Sequence, residues 1–242
     1  MTARYPALVL FDIDGTLVRR AGPHHRQALV EAVRQVTGLA TTTDHIPVHG
    51  MLDRDILARM MRDAGARAPD IRQAMPEIVR RAQRIYVRSV PNLERKTCPG
   101  VRTLLRRLER DGILLGLVTG NLTRIGWKKL QRAGLKAYFR FGAFAEMADD
   151  RAGLARLAIR QARTKGWIGA ATPIALVGDA PSDIDAARQN AIRAIAVYTG
   201  ISTRDELLAH APDLLLEDLR GLKPEMIYSP ERKGEAGKSA EL

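Results

Sequence analysis

Three groups of polar residues stand where apolar runs of the chain stop. Asp12, Asp14 and Thr16 follow residues 5–11, Thr119 and Asn121 follow 113–118, and Asp179, Ser182 and Asp183 follow 174–177. Carboxylates and hydroxyls grouped this way can share one hard divalent cation such as Mg²⁺ through their oxygens. They can also give and take protons at a reacting group. Singly, each has a plainer reading: Asp14 and Thr16 can close a turn, and Ser182 or Asp183 can cap a helix. Three strands ending alike at one sheet edge weigh against the plainer reading. Other chemistry is poorly supported. His45 and His49 are four apart, but Pro47 lies between them, so they read as loop histidines. Cys98 has no His or Asn close in sequence to activate it and reads as structural.

The elements that must position these residues follow from the spacing of apolar side chains. The runs at 5–11, 113–118, 174–177 and 192–197 are near-continuous and stop at polar turns, the pattern of strands buried on both faces. A weaker strand is expected at 139–144. Between them lie helical patterns at 101–110, 124–133, 151–162 and 181–189. Strands alternating with helices of this length predict an α/β, doubly wound (Rossmann-like) parallel sheet. In such a sheet ligands sit at the carboxyl ends of the strands where strand order reverses, which is where the three polar groups fall. The stretch 18–96 breaks the rhythm, with helices expected at 23–37, 51–64 and 70–90 and no buried strand. Gly22-Pro23 marks a start, and Gly38 and Gly65 mark stops. The expected organisation is a core of 1–17 and 97–221, an inserted all-helical cap domain at 18–96, and a flexible tail at 222–242.

Composition narrows the function classes. The 242 residues are 45% hydrophobic and 27% charged, enough for a core and unlike a disordered, collagenous or coiled-coil chain. One cysteine cannot form an internal disulfide, which fits a reducing, cytoplasmic setting. No apolar run approaches the roughly 20 residues of a membrane helix, and the acids in the first apolar stretch argue against a signal peptide. The net charge of +12 comes mainly from 31 Arg spread along the chain rather than from a basic arm. With only 4 Phe, 5 Tyr and 2 Trp, platforms for stacking bases are not evident, so a nucleic-acid partner is disfavoured without being excluded.

Asp12-Ile-Asp14-Gly15-Thr16 resembles the first motif of the haloacid dehalogenase-like hydrolase superfamily. Thr119-Gly120-Asn121 is similar to its second motif, and Gly178-Asp179-Ala-Pro-Ser-Asp183 with the helix after it resembles its fourth. The insertion behind the first motif resembles the helical cap of the phosphoglycolate-phosphatase-like subfamily. The resemblance implies a phosphatase of a small phosphorylated metabolite, dependent on Mg²⁺. It implies Asp12 as nucleophile forming an aspartyl-phosphate, and a metal held by Asp12, Asp179 and the backbone carbonyl of Asp14. The Asp14 side chain would serve as acid and base. Thr119 would donate to the phosphoryl oxygens, with Gly15, Thr16, Gly120 and Asn121 around the substrate, and Asp183 would orient Asp179 or a metal-bound water.

The family's third motif is usually a Lys. Here Asp149-Asp150-Arg151 opens the corresponding helix, so Arg151 is expected to neutralise phosphoryl charge, with Lys128 or Lys129 as the alternative cation. Arg54 is a candidate for a substrate carboxylate or second phosphate, and His24 and His25 sit near the hinge. Asp14 argues against a dehalogenase. The absence of Lys between residues 18 and 95 argues against Schiff-base chemistry in the cap. A β-phosphoglucomutase-like phosphomutase stays open, as does a non-catalytic, basic, nucleic-acid-associated relative.

Overall fold

The computed structural model describes residues 4–19 and 21–228. Among them, six strands form one parallel sheet: β1 Leu8–Phe11, β2 Leu114–Val118, β3 Phe141–Ala143, β4 Ile174–Gly178, β5 Arg193–Val197 and β6 Leu214–Leu216. Their order is β3-β2-β1-β4-β5-β6. Every residue of β1, β2 and β4 is buried, as continuous apolar runs require when helices cover both faces. Burying each large side chain of β1 stabilises the fold by about 1.5–3 kcal/mol. In register, Leu8 faces Leu114 on one side and Ile174 on the other. The order therefore reverses at β1, and the ends of β1, β2 and β4 share one crevice.

The helices α1 His24–Thr37, α2 Asp53–Asp63 and α3 Ala68–Ser89 precede β2. They pack on one another, and α3 also packs on α5. Gly38, at φ +75°, ends α1 in the left-handed region with its N–H on the Arg34 carbonyl, as the sequence predicts. Where the chain leaves and re-enters the sheet region, the two segments pair. The Arg19 N–H donates to the Lys96 carbonyl at 2.8 Å, and the Cys98 N–H to the Leu17 carbonyl at 3.0 Å. The remaining helices are α4 Val101–Arg110, α5 Thr123–Arg132, α6 Arg151–Thr164, α7 Pro181–Gln189, α8 Arg204–Ala209 and α9 Glu225–Tyr228.

Two expectations need correction. The flexible tail fails over its described part: Leu222 and Ile227 are buried, and α9 packs on β4. These isolated apolar residues show no periodicity because the helix is one turn long. The rest of that expectation, 229–242, lies outside the described residues. The sequence reading also missed α8 and β6. α8 does carry a signal, Thr203-x-x-Glu206. The Thr203 hydroxyl accepts the Glu206 N–H, and the Glu206 carboxylate accepts the Thr203 N–H. Among the described residues, no helix is long and apolar enough to cross a membrane.

Candidate active site

Asp12 follows β1 directly, Thr119 follows β2 and Asp179 follows β4, so sheet register brings all three to one edge. Asp12, Asp179 and Asp183 each offer a carboxylate oxygen, and these oxygens lie within 4.8 Å of one another. All three acids are buried. Arg151, at the start of α6, reaches in among them. Its Nη1 donates to Asp12 Oδ1 at 3.0 Å and to the Val118 carbonyl at 3.3 Å, and its Nε lies 3.4 Å from Asp183 Oδ1. One guanidinium against three carboxylates leaves two negative charges unbalanced.

That imbalance shows in the protonation equilibria. Burial pushes the Asp12 carboxyl up, with Arg151 pulling the other way. Burial pushes Asp179 well above the ordinary carboxylate range, reinforced by Asp12 and Asp183. Asp183 is pushed up to about 7, chiefly by burial and against the pull of Arg151. Asp179 Oδ1 accepts from the Thr16 hydroxyl at 2.9 Å, but Asp179 Oδ2 and Asp183 Oδ1 are buried without a hydrogen-bond partner. Buried carboxylate oxygens left this way call for a cation. The donor set is all oxygen, which suits Mg²⁺. The backbone leaves the room: Gly15 stands at φ +87°, and a Cβ there would lie 2.1 Å from Asp179 Oδ2. At Gly200 a Cβ would lie 1.7 Å from the same oxygen.

A second cluster forms around Asp14, whose side chain is 44% exposed. Lys129 Nζ donates to Asp14 Oδ1 and Oδ2 at 2.7 and 2.5 Å, and Asn121 Nδ2 donates to Oδ2 at 2.8 Å. Lys129 Nζ also contacts Asn121 Oδ1 at 2.7 Å and His25 Nδ1 at 3.1 Å. His25 Nε2 in turn lies 2.9 Å from Asp53 Oδ2, which accepts the Leu122 N–H at 2.8 Å. Desolvation raises the Asp14 carboxyl, but the charge of Lys129, helped by His25, outweighs it and holds it below the usual range.

The cavity between these clusters encloses about 210 Å³. Asp12, Asp14, Gly120, Asn121, Arg151 and Asp179 line it from the sheet side, and His25, Leu29, His49, Met51, Asp53 and Ile56 from the helical side. Gly15 lines an adjoining cleft with Thr199 and Gly200. Thr119 is buried behind the cavity, where its hydroxyl accepts from Asn121 Nδ2 at 2.8 Å. Asp183 is buried beside Asp12 and Asp179, and its Oδ2 also caps α7 by accepting the Ala180 N–H at 3.2 Å.

Four expected substrate contacts do not line the cavity: Gly15 and Thr119, placed as above, and Thr16 and Arg54. Thr16 is fully buried and spends its hydroxyl on Asp179, because the turn after β1 carries it towards β4. Arg54 does not line the cavity. Successive residues on a helix point about 100° apart, so α2 turns Asp53 inward and leaves Arg54 near Asp55. Conversely, His49 and Asp53 gain places the sequence did not assign them, His25 lines the cavity from the hinge side, and Lys129, the alternative phosphoryl cation, is paired with Asp14. His49 Nε2 sits 2.8 Å from the Ser202 hydroxyl and 3.8 Å from Asp179 Oδ2, and burial holds its imidazole below its ordinary value. Lys129 left a signal: it falls between Ile125 and Ala133 on the apolar stripe of α5. Cys98 is buried, and its thiol is pushed up to about 12 by burial, as a structural role requires.

Comparison with known proteins now decides the family. The sequence profile of the haloacid dehalogenase-like hydrolases matches residues 6–190. The chain belongs to the haloacid dehalogenase-like hydrolases. The match runs from the start of β1 past the end of α7 and so contains every acid of the site. This hydrolase is 31% identical over 216 residues to a phosphoglycolate phosphatase of Synechococcus elongatus, covering 86% of this chain and 92% of that one. It is 27% identical over 241 residues to a phosphoglycolate phosphatase of Agrobacterium fabrum, covering 98% and 99%. Solved structures share the fold of the hydrolase. A β-phosphoglucomutase of Clostridium difficile superposes with a TM-score of 0.67 at 19% identity, over 93% of this chain and 96% of that one. CbbY of Rhodobacter sphaeroides in complex with phosphate also gives 0.67, at 23% identity over 88% and 95%.

Proposed function

We propose that this hydrolase is a Mg²⁺-dependent phosphomonoester hydrolase of a small phosphorylated metabolite, phosphoglycolate- or sugar-phosphate-like. One observation carries the reading: a buried carboxylate, Asp12, lies against Arg151 and beside two further acids, each with one buried oxygen that has no hydrogen-bond partner. Phosphoglycolate phosphatases as relatives over nearly the whole chain support the substrate class. We assign residues 18–96 as a cap that closes the cavity, on a core of 1–17 and 97–221. A single buried cysteine suits a cytoplasmic setting.

Asp12, Asp179 and the Asp14 carbonyl would hold Mg²⁺, with Asp183 behind them, and the ion would screen the repulsion between a carboxylate and an anionic phosphoryl group. Asp12 attacks phosphorus, forming a carboxylate–phosphorus bond as the ester oxygen departs. Arg151 holds phosphoryl oxygens while keeping Asp12 in place. Asp14 gives a proton to the leaving oxygen, then takes one from the water that attacks the aspartyl-phosphate, restoring the Asp12 carboxylate and releasing phosphate. The cavity of about 210 Å³ holds a phosphoryl group and a leaving group of a few carbons.

The test is phosphate release from a panel of metabolite phosphomonoesters, with Mg²⁺ and with EDTA, beside Asp12→Asn. Release should require the metal and fall by several orders of magnitude in the variant with its fold intact. Near-normal release by Asp12→Asn would remove Asp12 as nucleophile. Silence across the panel, with isomerisation in a bisphosphate-primed assay, would replace hydrolysis by phosphoryl shuttling.

A further inference from the structure

The proposed chemistry leaves the net charge of +12 unused. Several exposed arginines are answered by acids one turn away, as Arg67 is by Asp70 and Arg80 by Glu77. One groove departs from this pattern. It holds about 370 Å³ between α3 and α5 and is lined by Val87, Arg124, Trp127, Lys128, Gln131 and Lys136. Three of these residues are cations and none is an acid. Lys128 Nζ donates to Gln131 Oε1 at 3.1 Å. Among the described residues, none of the three cations has an acid within 4.0 Å, and the side chains of Arg124 and Lys136 make no hydrogen bond.

The periodicity of α5 builds this groove. Arg124, Trp127, Lys128 and Gln131 stand at i, i+3, i+4 and i+7, so they share one stripe about 10 Å long. Lys129, on another side of the helix, is turned inward to Asp14. The Trp127 indole is half-buried and rests against Phe144 with ring centroids 5.5 Å apart. The core therefore fixes the ring, which still lines the groove. Composition argued against stacking platforms, yet the fold sets one of the two Trp beside three cations that have no acid to answer them.

We propose that this groove binds single-stranded nucleic acid, with its cations on backbone phosphates and Trp127 against one base. A phosphodiester chain carries charges at regular intervals along a line, which suits a stripe of cations on a helix. Every base has a flat π-face, so an indole can hold it without reading sequence. A duplex keeps those faces inside its stack, and an acidic peptide offers charge without a ring at each residue. A second basic groove lacks this combination: Arg156, Arg160 and Arg163 of α6 line it with no aromatic residue. The α3–α5 groove shares no lining residue with the cavity at the strand ends. Its binding is therefore separate from the hydrolysis.

The experiment is fluorescence anisotropy of a labelled oligothymidylate of about a dozen nucleotides, without terminal phosphate, in EDTA at several salt concentrations. The missing monoester and the chelator keep the probe from the acid cluster. Binding should be micromolar at low salt. The logarithm of Kd should rise with that of salt by about 0.7 per cation, a slope of about 2. Arg124→Gln and Lys136→Gln should each lower the slope by about 0.7. Trp127→Leu should weaken binding about 10-fold at unchanged slope, and Trp127→Phe should recover most of that loss. Asp12→Asn and Arg160→Gln should bind as wild type does. A loss in Arg160→Gln equal to that in Arg124→Gln would spread the contact over the whole basic surface and overturn the proposal. Wild-type affinity in Trp127→Leu would leave charge alone and overturn it too. Equal or tighter binding of a duplex, of poly-glutamate or of phosphatidylserine vesicles would put a different occupant in the groove. No binding at low salt ends the proposal outright. Should Trp127→Leu not fold, as read by circular dichroism, the wild type decides: saturating oligonucleotide should quench tryptophan fluorescence, and an unchanged signal removes the stacked base.

Discussion

Asp179 has one carboxylate oxygen tied to the Thr16 hydroxyl and one with no hydrogen-bond partner, 3.8 Å from His49. Such a residue is a cost to the folded protein until a cation arrives, and that cost depends on pH. An acid whose folded value lies above its unfolded value binds its proton more tightly when folded. Its contribution is complete below the unfolded value and is lost as pH rises through the folded one. Asp183 moves from 3.8 to about 7, and Asp12 and Asp179 move in the same direction. The EDTA-treated protein should therefore lose stability between about pH 4 and pH 7 from this cluster. The gain in Tm on adding Mg²⁺ should grow across the same window. Calorimetry of wild type beside Asp179→Asn checks this: the variant should show a flatter pH dependence and a smaller Mg²⁺ gain. An equal Mg²⁺ gain at both ends of the window, in both proteins, would place the ion elsewhere. The acids at this scale were legible because a polar residue ending a buried strand has few other reasons to be there. Thr16 was misread as a substrate contact because its partner lies 163 positions away.

Among the elements, α2 shows how the helical segment grips the sheet. Its first residue, Asp53, is buried, donates its N–H to the Gly120 carbonyl at 2.8 Å, and accepts the Leu122 N–H on its carboxylate. Asp53→Ala should strand the Leu122 N–H and one nitrogen of His25, costing about 1–3 kcal/mol, read as a fall in the urea midpoint at unchanged slope. The helix itself was foreseeable from its apolar spacing. Its docking was not, since an Asp near a helix start reads as ordinary pairing with the dipole. Arg54 was favoured for the same reason: charge identity is visible in a sequence, but the direction a helical residue faces depends on what the helix packs against. At the other end of the chain, α9 is too short for periodicity to reveal it. Ile227 is buried, so Ile227→Ala should lower stability by about 2–5 kcal/mol, measured by thermal unfolding. A change near zero would restore the segment as a frayed end.

At the scale of the molecule, strand order explains why motifs far apart in sequence meet, and the doubly wound pattern was readable because parallel strands leave unbroken apolar runs. The short β3 and β6 fall at the edges, where three residues suffice and the pattern fades. The charge of +12 is spread over exposed arginines, several tied to acids three or four residues away, such as Arg34 with Glu31 and Arg59 with Asp63. The central position of β1 has a consequence for the birth of the protein. β1 leaves the ribosome first, yet its neighbours begin at Leu114 and Ile174. At about 5–20 residues per second, the Leu8–Phe11 segment waits on the order of 5–20 s for its first partner and longer for its second. During that interval a fully apolar strand lacks both of its sheet partners, and the helices of the 18–96 segment are made before the first of them. The strand that ends at Asp12 thus spends this interval as an unpaired apolar segment of the kind a chaperone shelters.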